Sequence, residues 1–203
     1  LAVVADIGAA DTFLPKQSKA TYHAFLKYNE NLKLHKKTTF SFVQPGEIGA
    51  ENTLAPMTVA ARENIPIIDG DSAGRAIPEL QLCTFGESIP VAGATIANER
   101  QDSIILNCQT ATQLDQMMRP ILNTSTFENS AGLALWEMTG RQMKKHVVPG
   151  TISLAEQIGK TLQLAQKKGT SPLKALQSIE KLKWCLLADG ILEILDDGQE
   201  DKG

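Results

Sequence analysis

The chain has 203 residues, of which 42% are hydrophobic and 21% are charged, and its formal net charge at pH 7 is -3. This composition is typical of a soluble globular protein that can build one good core, or one core and part of a second. The negative charge gives no support for a nucleic-acid surface, and no apolar run reaches the ~18 residues that a membrane-spanning helix needs.

The first third of the chain alternates strand and helix patterns. A buried strand at 2–7 precedes a helix near 18–34, and a strand at 39–44 precedes a helix at 52–64. A third strand pattern, at 65–69, is rich in β-branched residues. This alternation predicts an α/β fold with a mostly parallel sheet flanked by helices. We expect three adjacent parallel strands: Val3–Ile7, Thr39–Val43 and Ile65–Ile68.

The middle of the chain mixes both patterns. Pro90–Ala97 and Ser103–Cys108 read as strands that pair with each other, because only a short polar stretch separates them. Thr112–Leu122 is amphipathic and is predicted to be a helix. Gly132–Met143 is ambiguous, since Gly140 either breaks a helix or separates a strand from a helix.

The last third begins with the clearest helix. Thr151–Lys168 has apolar residues at helical spacing and is followed by Gly169, and a further helix is predicted to begin at Pro172. Cys185–Asp197 reads as β structure with a turn. We therefore expect an α/β N-terminal domain at 1–183 and the start of a mainly β C-terminal domain at 184–203. Because the chain opens directly on a strand pattern, we also expect a native segment before Leu1.

The three cysteines are far apart and odd in number. Cys83, Cys108 and Cys185 match neither a disulfide framework nor a zinc pattern. Free thiols are typical of a reducing compartment, so we expect a cytoplasmic protein. Cys83 is of particular interest because it lies just past a polar motif.

That motif runs from Glu47 to Glu79, and its carboxylates follow predicted strands. Glu47 comes after the strand at 39–44, and Asp69 ends the strand at 65–69. The carboxyl ends of neighbouring strands in an α/β sheet are where ligands usually bind. Charges near a core are costly unless they are paired or used. The strand ends are therefore predicted to converge on one edge of the sheet.

The loop after Asp69 contains two glycines, which let its backbone approach a bound group closely. Asp69 and Asp71 are two residues apart, so in an extended segment they point the same way and repel unless a cation, a proton or Arg75 lies between them. Arg75 and Glu79 can form an ion pair if residues 76–82 are helical.

Each of these residues also has a structural interpretation. Asp69 can cap a turn, Asp71 can accept backbone N–H groups, Arg75 and Glu79 can form a structural ion pair, and Glu47 can be a solvated loop carboxylate. The sequence has no Walker loop and no GxGxxG, GxSxG or HExxH motif.

Three segments carry a resemblance to a known family: EIGAEN at 47–52, APMTVAA at 55–61 and IPIIDGDSAGRAIPELQLCTF at 65–85. They resemble the N-terminal domain of the S-methyl thiohydantoin desulfurase family, long catalogued as a domain of unknown function and associated with hydantoinase/oxoprolinase-type proteins. The matching residues are Glu47, Ile48, Gly49, Asn52, Pro66, Asp69, Asp71, Gly74, Arg75, Ala76, Pro78 and Glu79. PGTISLAEQIGKTLQLAQ at 149–166 resembles the family's closing helix. Ala50 departs from the pattern, which has glycine there.

The resemblance implies an enzyme of hydantoin-related chemistry that acts on a small cyclic amide or thioimidate. Hydrolytic loss of methanethiol from an S-methyl thiohydantoin needs an activated water and a proton for the leaving thiol, and two carboxylates can supply both. We expect Asp71 to be the base, Glu47 the acid or the acceptor of a ring N–H, and Arg75 the group that orients the substrate or stabilises an anion.

The complete set of expected site residues is wider. The candidate catalytic residues are Glu47, Asp69, Asp71, Arg75 and Glu79, and the candidate substrate-binding residues are Gly49, Asn52 and Gly74. A divalent metal held by Asp69, Asp71 and Glu79 is equally compatible with this oxygen-rich set.

A second hypothesis makes the chain a non-catalytic module that binds a small metabolite. Such a module would assemble with a hydantoinase- or oxoprolinase-like protein. The expected partners are therefore a small-molecule substrate, an enzyme of that kind or a second copy of the chain, and neither nucleic acid nor a membrane.

Overall fold

A computed structural model describes residues 1–8, 19–86, 88–180, 182–183, 185 and 190–191. The chain divides into two compact units, Leu1–Ala155 and Glu156–Gly203. No helix in the described part of the chain is long and apolar enough to cross a membrane.

The first unit contains seven strands and four complete helices among its described residues. In chain order these are β1 (Ala2–Gly8), α1 (Ala20–Lys36), β2 (Val43–Pro45), α2 (Leu54–Glu63), β3 (Gly70–Asp71), β4 (Val91–Ala97), β5 (Ser103–Cys108), α3 (Ala111–Leu122), β6 (Ser130–Leu135), α4 (Gly140–His146) and β7 (Val148–Pro149). A short 3-10 turn spans Leu80–Leu82. Helix α5 (Thr151–Lys168) begins in the first unit and continues into the second.

Five strands form the main sheet, in the order β2-β1-β6-β4-β5. β1 and β2 are parallel, and a parallel bridge between Val43 and Ile67 extends this edge. The other three pairings are antiparallel. The α/β class is therefore confirmed. The three segments predicted to be parallel neighbours do meet in parallel, but the second pairs only from Val43 onwards and the third only through the bridge at Ile67. The expectation of a mostly parallel sheet is wrong, because the strands contributed by the middle of the chain join through a hairpin and return antiparallel.

The second strand begins later than predicted. Residues 39–42 lie outside the sheet, and β2 starts at Val43. Phe40 is buried against the rings of Phe25 and Tyr28, and its backbone N–H donates to the Asn29 side chain at 2.9 Å. Phe40 thus packs against α1 and does not pair in the sheet.

Apolar side chains cover both faces of this sheet. One cluster, on the face of α1 and α2, includes Val4, Phe25 and Val43. The other includes Val3 and Phe85 and lies beneath α3 and the segment before β4. Alternate residues of β1 belong to the two clusters, as the two-residue period of a strand requires.

Helix α1 lies unusually close to the sheet at Gly132. A Cβ atom at this position would lie 2.0 Å from the backbone nitrogen of Thr21 and 2.1 Å from the carbonyl carbon of Ala20. Such distances are far inside van der Waals contact, so only glycine lets the start of α1 rest directly on β6.

The ambiguous stretch at 132–143 resolves into the end of β6 and the start of α4. Thr139 caps α4 by accepting from the Gln142 N–H, and the Gln142 side chain accepts from the Thr139 N–H at 3.0 Å. This reciprocal capping box is readable from the sequence, since threonine precedes glutamine by three residues.

The second unit contains the remainder of α5 and helix α6 (Pro172–Gln177). Gly169 adopts a positive φ of 62° directly after α5, and Ser171 accepts from the Lys174 N–H at the start of α6. Both predicted helix positions are confirmed. Most of the tail predicted to be β, 185–197, lies outside the described residues. The domain boundary after residue 183 stays a prediction.

Candidate functional site

Glu47 lies two residues beyond the end of β2 and is half-buried. Its Oε1 accepts from the Asn52 side-chain amide at 2.7 Å, and its Oε2 accepts from the Ile77 backbone N–H at 2.5 Å. Hydrogen bonds to an ionised acceptor are short and strong. Glu47 therefore links the start of α2 to the segment that follows Asp71, and it is not a freely solvated loop carboxylate.

Asn52 continues this network to the neighbouring strand. Its Oδ1 accepts from the Asp6 backbone N–H at 2.7 Å, while its side-chain nitrogen donates to Glu47. One amide side chain thus joins the carboxyl ends of β1 and β2. Gly49, the other predicted substrate-binding residue of this loop, accepts from the Thr53 hydroxyl at 2.6 Å and helps to form the turn into α2.

Asp6 is a buried carboxylate at this end of the sheet that the sequence interpretation missed. It pairs across the sheet with Gly132, and the hydroxyl of Thr21 in α1 donates to its side chain. Burial, and secondly the negative charge of Asp6, raises the pKa of Glu51. Asp6 lies near the end of the strand predicted at 2–7, and Glu47 lies just beyond the end of another predicted strand, so reasoning from strand ends could also have selected Asp6.

Asp71 is completely buried, at 0% exposure. Its Oδ2 accepts from the backbone N–H groups of Ala73 at 3.0 Å and Gly74 at 2.7 Å. Gly74 has φ +69°, a conformation in which glycine is favoured. The second oxygen, Oδ1, meets no hydrogen-bond partner in the part of the chain that the structure describes. Asp71 is thus a backbone acceptor through one oxygen only.

Glu47 and Asp71 are brought to the same end of the sheet by the residues next to them. The Ser72 backbone N–H donates to the Gly46 carbonyl at 3.3 Å, and the Ser72 hydroxyl donates to the same oxygen. These bonds fasten the turn after β2 to the turn after β3. Glu47 follows the first of these turns and Asp71 precedes the second, so the bonds connect the two backbone segments that carry the carboxylates.

The Cys83 thiol lies beside the turn that contains Ser72. Its sulfur is 3.3 Å from the Ser72 hydroxyl oxygen. Burial raises the pKa of Cys83 to about 11; the Ser72 hydrogen bond opposes the rise, and the negative charges of Glu47 and Asp71 add to it. Cys83 is therefore a neutral thiol at neutral pH, and a deprotonated nucleophile is not available there.

Three of the predicted catalytic residues are exposed and make separate contacts. Asp69 is exposed, and its carboxylate accepts from the backbone N–H and the hydroxyl of Ser153, at 3.0 Å and 2.6 Å, in the first turn of α5. Asp69 and Asp71 do not share an environment as expected: Asp69 is exposed and bonds to Ser153, whereas Asp71 is buried and bonds to Ala73 and Gly74.

Arg75 and Glu79 are both exposed and do not pair with each other among the described ion pairs. Arg75 donates to the Ala76 carbonyl at 3.3 Å, and Glu79 accepts from the Gln81 side chain at 2.6 Å. The ion pair required a helix at 76–82, and only Leu80–Leu82 forms a 3-10 turn. Within the described residues no group of three or more histidine, cysteine or acidic side chains is arranged to hold a metal ion.

Comparison with known families identifies the group to which this architecture belongs. Residues 1–108 match the family described as S-Me-THD-like, N-terminal domain, and residues 109–198 match S-Me-THD-like, C-terminal domain. The chain belongs to the S-Me-THD-like family. The resemblance carried by residues 47–85 is thereby confirmed, and it extends through the second half of the chain as well.

A solved structure has the same fold as this S-Me-THD-like chain. It is the X-ray crystal structure of a protein from Chromobacterium violaceum, with 28% sequence identity and a TM-score of 0.80. The match covers 89% of this chain and 50% of that protein, so the S-Me-THD-like chain spans about half the length of this relative. A search of curated proteins found no match.

Proposed function

We propose that this S-Me-THD-like chain carries a hydantoin-related enzyme domain that hydrolyses S-methyl thiohydantoins to hydantoins and methanethiol. Family membership supports the substrate class. The observation that carries the catalytic part is the unpartnered Oδ1 of the buried Asp71, close to Glu47 and the Cys83 thiol. A buried carboxylate oxygen without a donor is poised to take a proton from a bound water.

The reaction replaces the carbon–sulfur bond of the ring by a carbon–oxygen bond. Water adds through its oxygen to the C=N carbon that bears sulfur, and Asp71 accepts a proton from that water. The electrons of the C=N π bond move to the ring nitrogen, which is protonated. The carbon–sulfur bond then breaks as the hydroxyl of the adduct loses its proton and becomes the hydantoin carbonyl, and the leaving methanethiolate takes up a proton. The water thus supplies the carbonyl oxygen, and its two hydrogens are accounted for by the new N–H and S–H bonds.

Within this proposal Glu47 accepts a hydrogen bond from a ring N–H or returns the proton to the thiolate. Both of its oxygens already accept hydrogen bonds, one of them from the backbone of Ile77. A substrate N–H would replace the Ile77 donor. Arg75 is exposed four residues beyond Asp71 and would orient the ring or stabilise the developing anion from the solvent side.

Incubation of the intact protein with an S-methyl thiohydantoin tests the proposal. We expect release of methanethiol and an equal amount of hydantoin, measured by gas and liquid chromatography so that the protein's own thiols do not interfere. The Asp71→Asn variant should release both products at least roughly 10²-fold more slowly. Equal release by the two proteins would overturn the role of Asp71.

The second candidate is a non-catalytic module that binds a small metabolite and assembles with a hydantoinase- or oxoprolinase-like enzyme. It is favoured by one observation: Glu47 and Asp71 together hold the backbone of Ala73, Gly74 and Ile77. In this case the intact protein binds a hydantoin but releases no methanethiol, and the Asp71→Asn variant loses stability instead.

A further inference from the structure

Gln44, in the middle of β2, is a buried polar residue that the proposed chemistry does not use. Its side chain has 0% exposure, and neither Oε1 nor Nε2 meets a hydrogen-bond partner within the described residues. Burying an amide without partners is unfavourable, and most buried amides in proteins are satisfied. Gln44 therefore offers its NH2 group as a donor and its carbonyl oxygen as an acceptor to a group that enters its surroundings.

The sheet register shows which surroundings these are. Gln44 pairs with Val3, and side chains directly opposite each other on neighbouring strands point to the same face. Val3 belongs to the apolar cluster that also contains Cys83 and Phe85. The Gln44 amide thus lies on the face covered by the segment from β3 to Phe85, two residues before the Gly46 carbonyl that binds Ser72.

Trp136, whose indole nitrogen also has no hydrogen-bond partner among the described residues, belongs to the same apolar cluster. It follows β6 and packs edge-on against Phe85, with ring centroids 4.6 Å apart. Oδ1 of Asp71 has no described partner either, and the Ser72 next to it contacts Cys83 of that cluster. An unpartnered carboxamide and an unpartnered N–H donor thus belong to this face, and an unpartnered carboxylate oxygen belongs to the segment that covers it.

A ring amide presents the complement of this set. Its N–H and C=O lie side by side. The carbonyl oxygen of a carboxamide can therefore accept from the ring N–H while its NH2 group donates to the ring C=O. We propose that Gln44 is a specificity-determining residue that binds the N–H and C=O edge of the ring in the substrate of this same site. This inference rests on the proposed function and assigns the recognition of its substrate class.

In the described chain, the backbone N–H groups of residues 73–78 make three hydrogen bonds, all to the carboxylates of Glu47 and Asp71. A ligand whose N–H groups replaced these donors would free residues 73–77 from both carboxylates. The flanking residues Ser72 and Thr84 keep their own hydrogen bonds. Within the proposal, residues 73–77 are therefore the part of the segment that a small ring displaces on its way to Gln44.

Binding and turnover of matched variants test the inference. Calorimetric titration with hydantoin and with N,N′-dimethylhydantoin, which lacks ring N–H groups, should show that the wild-type protein prefers hydantoin. Gln44→Leu should weaken hydantoin binding roughly tenfold or more and remove the preference. It should also raise KM for S-methyl thiohydantoin more than it lowers kcat.

Stability provides an independent readout. Replacement of an unpartnered amide by an apolar group of similar size is neutral or stabilising, so the Tm of Gln44→Leu should equal or exceed that of the wild type. Gln44→Met, which keeps an unbranched side chain, serves if the leucine variant does not fold. Gln163→Leu makes the same chemical change at an exposed position of α5 and should alter neither binding nor KM.

The outcomes separate this inference from the proposed function. If the Gln44 variants bind hydantoin and turn over as the wild type does, Gln44 holds only buried water and the inference is overturned, while the proposed function stands. If the wild-type protein binds neither hydantoin nor S-methyl thiohydantoin, the proposed function fails and the assignment of Gln44 fails with it.

Discussion

Asp69 and Asp71 are identical residues two positions apart, and they occupy opposite environments. Asp69 is exposed and binds the first turn of α5 through Ser153, whereas Asp71 is completely buried with one oxygen unpartnered. An exposed acceptor that satisfies a helix N-terminus acts as a cap. A buried oxygen without a hydrogen-bond donor costs stability, and catalysis is the role that we propose for it. The comparison teaches that spacing alone does not assign chemistry to a carboxylate.

The largest effect is expected at the buried member of the pair. Asp71→Asn keeps the shape and one acceptor oxygen but removes the charge that takes a proton. Turnover of an S-methyl thiohydantoin should fall by roughly 10²-fold or more, while the Tm changes little. A fall in Tm with turnover preserved would show that Asp71 only holds the backbone. Asp71 and Asp69 would then both be structural residues.

The thiol beside Asp71 gives a pH dependence. Folding raises the pKa of Cys83 from its ordinary value of 9.0 to about 11. The unfolded chain therefore loses this proton first as pH rises. The contribution to stability is fully present below pH 9 and is lost as pH rises through about 11.

Denaturation of the wild type and of Cys83→Ala at pH 8 and pH 11 isolates this contribution. Between these pH values the wild type should lose on the order of 2 kcal/mol more unfolding free energy than the variant. Tyr22 and Tyr28 also have raised pKa values, but they are common to both proteins and cancel in the difference. Equal losses in the two proteins would contradict the buried position of Cys83.

A smaller effect, on stability alone, is expected at the exposed aspartate. Asp69→Ala removes the acceptor for the Ser153 N–H and hydroxyl, so thermal denaturation should show a loss of about 1 kcal/mol. Turnover should remain at the wild-type level, in contrast to Asp71→Asn. Ser153→Ala removes only the hydroxyl donor and should lose less. If Asp69→Ala abolished turnover at unchanged stability, Asp69 would belong to the catalytic centre after all.

The smallest structural effect is expected at Arg75. Its guanidinium is exposed and contacts only the neighbouring Ala76 carbonyl among the described hydrogen bonds. Arg75→Ala should change the unfolding free energy by no more than about 0.5 kcal/mol. If Arg75 orients the substrate, KM should rise severalfold with the Tm unchanged, and Arg75→Lys should restore part of the affinity. An unchanged KM would remove Arg75 from the proposed site.

Periodic segments were predictable from the sequence, and non-local contacts were not. Thr151–Lys168 was predicted to the residue because its apolar spacing is helical and Gly169 ends it. The pairing of β4 with β5 followed from the short connection between them. The antiparallel placement of β6 between β1 and β4 depends on contacts distant in sequence, and no local pattern encodes it.

The same distinction holds at the candidate site. The positions of Glu47 and Asn52 beyond β2 follow from strand-end reasoning, and Asp6 would have followed from it too. The separation of Asp69 from Asp71 could not be predicted, because it depends on β7 and α5, about eighty residues further along the chain. Arg75 and Glu79 have helical spacing in a segment where the helix does not form.

The absence of a side chain at Gly132 also has a consequence for anyone who diversifies this protein. Gly132 lies opposite Asp6 on the neighbouring strand, and the helix that supplies the Thr21 hydroxyl rests on its bare backbone. A single added methyl group would lift that helix and withdraw the hydroxyl from the carboxylate. A mutational library should therefore keep this glycine fixed together with Asp6, although glycine carries no functional group of its own.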